Sequence, residues 1–134
     1  MKYMMMMHAP GRGWLKDGIG TWPHEDLKAH IAFMMQLNKE LQKAGEFVMA
    51  EGLASPEHAK LVRASKSGKP EITDGPFPES KELLAGYRLI DVESIDRALE
   101  IAGRASAAPG PNRVPIGDHI EVRQVMGAPP PEEV

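Results

Sequence analysis

Four consecutive methionines, Met4–Met7, constrain the fold of this chain more than any other feature. They belong to the apolar segment Lys2–His8, which Pro10 and Gly11 follow and which is too short to form a stable helix alone. We predict a strand here. Because successive side chains of a strand point to opposite faces, this strand is apolar on both sides. Both faces of its sheet are therefore expected to be buried near it.

Two helices are predicted from apolar residues with a 3.6-residue period. The first follows Pro23 and ends before Gly45, with the stripe Leu27, Ile31, Met34, Leu37, Leu41 and Ala44. The second begins after Ser94, a good capping residue, with the stripe Ile95, Ala98, Leu99, Ala102 and Ala105.

Five further segments are predicted to be strands: Phe47–Glu51, Ala59–Ala64, Glu71–Asp74, Gly86–Val92 and His119–Met126. The polar run Ser65–Lys69 reads as a hairpin turn between two of them. Glycine-rich and proline-rich loops are predicted at 9–22 and 107–118, and residues 127–134, with three consecutive prolines, are predicted to be a disordered tail.

The order of these elements predicts one α+β domain over residues 1–126. Two helices can cover only one face of a four-stranded antiparallel sheet, which is the ferredoxin-like arrangement. The other face needs a different cover. We therefore expect a homodimer in which two such sheets pack face to face.

Charge and cysteine content exclude several classes of function. The chain of 134 residues has 16 basic and 19 acidic side chains, well interspersed, and no basic block, so nucleic acid is not expected as a direct partner. It has no cysteine, which excludes disulfides, thiolate metal sites and a cysteine nucleophile. The apolar start is too short for a signal peptide and no segment is long enough to span a membrane, so we expect a cytoplasmic protein.

An ordered series of motifs resembles a known family. The series runs through Met1–Met4, Leu41–Gly45, Asp74-Gly75-Pro76-Phe77, Glu79–Leu83, Gly86–Val92 and Ile120–Arg123. Together these are similar to the YCII-related (DGPF-domain) family of small bacterial proteins, over about residues 1–126. The loops at 9–22 and 107–118 depart from the family pattern.

The resemblance implies a dimeric α+β barrel. It also implies one of two functions. Many genes of the family look like companions of extracytoplasmic-function sigma factors, which suggests an accessory or small-molecule-binding protein linked to transcription. Relatives in the wider superfamily include oxygenases and lactone isomerases, which suggests a small cofactor-free or metal-assisted enzyme.

Asp74 and His8 are the candidate catalytic residues. Asp74 lies at a predicted strand end before Gly75-Pro76, where a carboxylate can act as a general base or hydrogen-bond the amides of its own turn. His8 ends the first strand, where it can reach the mouth of a cleft, and a His8–Asp74 pair would imitate the pair used in one branch of the family. A His8 that is solvated or hydrogen-bonded at the strand end is the simpler interpretation.

Four further residues are candidate binding residues. Arg88 lies among apolar neighbours, where it needs a carboxylate partner such as Glu51, Asp91 or Glu121. An ion pair at the dimer interface is the simpler interpretation, and the alternative is that Arg88 holds an anionic ligand. Glu121 and Arg123 share one face of the last strand, and Phe77 is expected to fill a core or interface position. The five histidines form no close-spaced metal motif, so no metal or cofactor is predicted.

Overall fold

A computed structural model describes residues 1–10, 21–74 and 82–127. Within these ranges the chain forms β1 (Lys2–Pro10), α1 (His24–Lys43), β2 (Phe47–Gly52), β3 (Lys60–Arg63), β4 (Glu71–Asp74), β5 (Glu82–Asp91), α2 (Ile95–Ser106) and β6 (Ile120–Gln124). This is the predicted order. Most of the 9–22 loop, the segment 75–81 with Phe77, and the predicted tail beyond Gly127 lie outside the described residues.

Four strands form one antiparallel sheet in the order β2-β5-β1-β6. Together with two helices on one face, this order gives the ferredoxin-like α+β fold, as predicted. The sheet is open, with β2 and β6 at its edges, and does not close into a barrel within one chain. The strands β3 and β4 pair with each other as a separate hairpin.

The core lies between the sheet and the two helices. The sheet presents Tyr3, Met5 and Ile90 to the helices, and we call this side the covered face. The buried cluster comprises Tyr3, Met5, Leu37, Leu41, Ile90, Val92, Ala98, Ile101, Ala102 and Ala105. Burial of these side chains is the main force that holds helices and sheet together.

Both predicted helix signals are confirmed. The first helix ends where Gly45 adopts a left-handed φ of +73°, and the Glu46 amide donates to the Leu41 carbonyl at 2.9 Å. The second helix begins at Ser94, whose hydroxyl accepts a hydrogen bond from the Arg97 amide at 3.2 Å.

The predicted apolar stripes are partly wrong. Ile31, Ile95 and Leu99 are 47%, 42% and 52% exposed, whereas Ile101, which the predicted stripe omits, is fully buried. Helical periodicity identifies the apolar side of a helix, but the angle at which the helix meets the sheet decides which margin of that side is covered.

The opposite side of the sheet, which we call the open face, carries alternate residues of the same strands. The antiparallel register places Met4 beside Leu89 and Met6 beside Tyr87. Charged residues Glu51, Glu121 and Arg123 lie on this face on the two edge strands. The first strand is therefore apolar on both sides, as predicted, but a single chain buries only one of them.

Candidate functional site

Arg88 is the most buried charged residue in the described ranges. It lies on β5 on the covered face, next to Met5, and is only 1% exposed. Its Nε donates to the side-chain oxygen of Asn38 on α1 at 3.0 Å, whereas its buried Nη1 has no hydrogen-bond partner among the described residues. Burial lowers the pKa of the Arg88 guanidinium below its usual value.

The prediction that Arg88 pairs with Glu51, Asp91 or Glu121 at the dimer interface is wrong, because Arg88 lies on the face that the helices cover. Glu121 lies beside Met6 and Glu51 beside Tyr87, both on the open face, and Asp91 is three residues from Arg88 in the same strand. Residues an odd number of positions apart in a strand point to opposite faces, so Asp91 also lies on the open face. None of the three carboxylates therefore reaches the guanidinium. A neutral amide, that of Asn38, takes their place.

Small residues lie on one side of Arg88 on the covered face, opposite to Met5 of β1. Ala50 of β2 pairs with Arg88, and the next pair on the same face, two residues further along, is Gly52 with Gly86. A Cβ on Gly86 would meet the Glu51 carbonyl oxygen at 2.8 Å, so only glycine permits the close approach of the strands there. A Cβ on Gly52 would meet nothing within 4 Å, so open space adjoins this end of the sheet.

His8 belongs to a second polar group, on the open face. A register shift in β1 follows Met7, and the His8 ring then lies with its Nε2 3.2 Å from Glu121 Oε1. An ionised carboxylate can only accept, so Nε2 carries the proton of this bond and, in the neutral ring, Nδ1 can accept another. Glu121 Oε2 also lies 3.9 Å from Arg123 Nε. The structure thus brings together three of the predicted site residues.

Asp74 lies apart from this group. It is the last residue of β4, a strand end as predicted, and its carboxylate pairs with Lys60 across the hairpin at 2.7 Å. The Asp74 side chain is 73% exposed, so this ion pair contributes little to stability. The carboxylate that contacts His8 is Glu121, not Asp74. The turn amides expected to bind Asp74, and Phe77, fall in the segment 75–81 outside the described residues.

Three polar residues of α1 were not identified from the sequence. Asn38 holds Arg88, buried Asp26 accepts a hydrogen bond from the Asn112 amide at 3.1 Å, and His30 Nδ1 donates to the Pro109 carbonyl at 3.1 Å. Asn38 is spaced four residues from Met34 and three from Leu41, which places it on the inward stripe. A polar residue at such a position is the signal that could have revealed this contact.

Within residues 1–10, 21–74 and 82–127, no group of three or more His, Cys, Asp or Glu side chains comes together to hold a metal ion. In the same part of the chain, no helix is long and apolar enough to cross a membrane.

Comparison with known proteins relates the chain to a family model and to a bacterial protein. The model of the YCII-related domain matches residues 1–126. An uncharacterised protein of Rhizobium meliloti (strain 1021) is 32% identical over 88 residues, which cover 66% of this chain and 70% of that relative. The match of the family model spans all eight helices and strands of the described fold. The chain therefore belongs to the YCII-related domain family.

Proposed function

We propose that this protein is a homodimer that binds a small molecule and acts as an accessory protein rather than as an enzyme. The observation that carries the binding function is the buried Nη1 of Arg88, which has no hydrogen-bond partner in the described part of the chain. Buried polar groups are nearly always paired, because an unpaired one costs about 1–3 kcal/mol or more when it carries a charge. A bound ligand is an economical partner for such a group.

The surroundings of Arg88 support the same proposal. Open space adjoins Gly52, which lies on the same face two residues along the sheet from Ala50 and Arg88. A ligand that entered from this end would reach the guanidinium on the covered face of the sheet. Binding sites typically combine an apolar wall with a few well-placed polar groups, and here Arg88 and Asn38 supply the polar groups.

The open face supports the homodimer. Its centre carries Met4, Met6 and Leu89, which a second copy of the sheet can cover. The hairpin of β3 and β4 adds apolar surface, because Val62 and Ile72 lie side by side and are 63% and 61% exposed. An isolated two-stranded hairpin is marginally stable in water, so contact with a partner subunit would stabilise it.

The link to transcription rests on the family resemblance and stays a prediction. The net charge of −3 favours a protein partner over DNA for such a role. A two-hybrid assay against the sigma factor encoded beside this gene tests it, and we expect an interaction. Absence of a sigma-factor gene from the neighbourhood, or of an interaction, would contradict the link.

One observation favours an enzyme as the second candidate. Glu121 fixes one nitrogen of His8, an arrangement that suits a proton acceptor. Asp74, the general base predicted from the sequence, would first have to break its ion pair with Lys60. If the protein is an enzyme, His8→Gln should reduce turnover at least a hundredfold, whereas Asp74→Asn should change it little. The opposite order would favour Asp74.

A thermal-shift screen of a small-molecule library tests the binding function. We expect compounds that raise the melting temperature of the wild type but not of Arg88→Met, an apolar replacement of similar length that suits a buried site. Arg104→Met is the matched control, because Arg104 is a half-exposed arginine of α2 that pairs with Glu40 and its loss should leave the response unchanged. Compounds that stabilise the wild type and Arg88→Met equally would contradict the proposal.

A further inference from the structure

We infer that the ligand of the Arg88 site is a small monocarboxylate, held by Arg88 and Asn38 between α1 and the covered face of the sheet. This inference rests on the proposed binding function and specifies its ligand class.

Charge balance determines the sign and size of the ligand charge. Arg88 is 1% exposed, and its hydrogen-bond partner Asn38 is neutral. Among the described residues, the three carboxylates nearest to it in the sheet register, Glu51, Asp91 and Glu121, lie on the opposite face. The site therefore holds one uncompensated positive charge, which is costly to bury. One negative charge neutralises it, whereas a dianion such as phosphate would leave one charge unpaired.

The donor geometry favours a carboxylate among monoanions. Asn38 Oδ1 accepts from Arg88 Nε, so the amide nitrogen of Asn38 retains two N–H groups that can donate. Arg88 Nη1 lies at the edge of the guanidinium away from the Nε–H group and supplies further donors there. A carboxylate has two oxygens, and arginine binds carboxylates through paired hydrogen bonds.

The rest of the ligand must be small and uncharged. The covered face next to Arg88 is formed by Ala50, Gly52 and Gly86 on one side and by Met5 and Met7 on the other, and none of these offers a charged side chain or a hydrogen-bonding hydroxyl or amide. Open space lies over Gly52, whereas the Gly86 position is filled by the backbone of Glu51. A short aliphatic or aromatic group fits above these residues, with its carboxylate directed at Arg88.

Benzoate and its neutral analogue benzamide provide a direct test. We expect benzoate in the millimolar range to raise the melting temperature of the full chain and benzamide of the same shape to have no effect. Arg88→Met should abolish the benzoate response. Asn38→Asp should abolish it as well, because the new carboxylate would pair with Arg88 internally, and this variant is expected to remain folded. Inorganic phosphate should bind at least tenfold more weakly than benzoate.

The outcomes separate the ligand class from the binding function. Equal stabilisation by benzamide and benzoate, or an unchanged benzoate response in Asn38→Asp, would overturn the carboxylate assignment. If other compounds in the library still depend on Arg88, the proposed binding function survives that failure. If no compound distinguishes the wild type from Arg88→Met, both proposals are wrong.

Discussion

The two faces of the central sheet differ although the same strands form them. On the covered face Met5 is 1% exposed and belongs to the core, whereas its neighbours Met4 and Met6 on the open face are only partly buried. Residue type does not cause this difference, since all three are methionines. The helices pack on one side only, and strand alternation assigns each methionine to one side.

The polar residues of the two faces differ in a corresponding way. In the described part of the strands, the covered face holds one charge, Arg88, which is buried against an amide. The open face has Met4, Met6 and Leu89 at its centre, and its charged residues lie at its margins: Lys2 and Asp91 at one end of the central strands, and Glu51, Glu121 and Arg123 on the edge strands. An apolar centre with a polar rim is typical of a protein interface. The helices bury the covered face, and the apolar centre of the open face supports its proposed contact with a second copy.

Replacing either of two adjacent methionines by lysine is expected to give the largest contrast between the two faces. Met5→Lys places a charge in the core and should prevent folding, because an unpaired buried charge costs several kcal/mol. Met6→Lys places it on the open face and should give a folded monomer. Circular dichroism measures folding and light scattering measures mass. Met126→Lys, at a side chain that is 83% exposed, is the control that should fold and dimerise. If Met5→Lys and Met6→Lys unfold the protein to the same extent, the two faces do not differ in burial as described.

Truncating apolar side chains of α2 to alanine tests the same difference between buried and exposed positions on a helix. Ile101 is fully buried on the side facing the covered face, and Leu99 is 52% exposed. Ile101→Ala should lower the free energy of unfolding by about 2–5 kcal/mol, since it leaves a cavity. Leu99→Ala should change it by about 0.5 kcal/mol or less. Urea unfolding measures both values. A large loss from Leu99→Ala would show that this side of α2 also meets a partner.

The ion pair between α2 and the residue before β2 should contribute to the free energy of unfolding at neutral pH, and this contribution should be lost in acid. Arg97 binds both oxygens of Glu46, at 2.8 and 2.9 Å, and this holds the Glu46 pKa below its usual value of 4.5. A carboxylate with a lowered folded pKa stabilises the protein above pH 4.5, and this contribution is lost as pH falls through the folded value. Glu46→Gln should cost about 1 kcal/mol at pH 7 and less at pH 3. A constant difference between the two proteins would contradict this.

Substitution of His30 should have the smallest effect, a slight change in how stability depends on pH. Burial lowers its pKa below 6.5, and the hydrogen bond to the Pro109 carbonyl only partly offsets this. The folded state therefore favours the neutral ring, and its stabilising contribution is lost as pH falls from 6.5 through the folded pKa. The wild type should lose slightly more stability than His30→Gln between pH 7 and pH 5. Thermal melts at the two pH values measure this, and parallel losses would show that His30 does not titrate differently on folding.

The sequence is sufficient to predict most of the fold. The order of elements, the Ser94 cap and the end of α1 at Gly45 follow from local signals, because each depends on residues close in the chain. The exposure of Ile31 and Leu99 was not predictable in the same way. It depends on how each helix meets the sheet, which distant residues decide.

The site was less accessible to prediction. Arg88 was identified as buried, and Asp91 could have been excluded as its partner from strand alternation alone. Excluding Glu121 required the register between β1 and β6, and finding Asn38 required the placement of α1 over the sheet. The pairing of His8 with Glu121 joins residues 113 positions apart and likewise depends on that register.

Light scattering of the wild-type chain at low micromolar concentration tests the central claim, that the open face is covered by a second copy. We predict a single species with twice the mass of the chain, which persists on dilution because the interface is large and apolar at its centre. A stable, well-folded monomer of the wild type under these conditions would contradict the account.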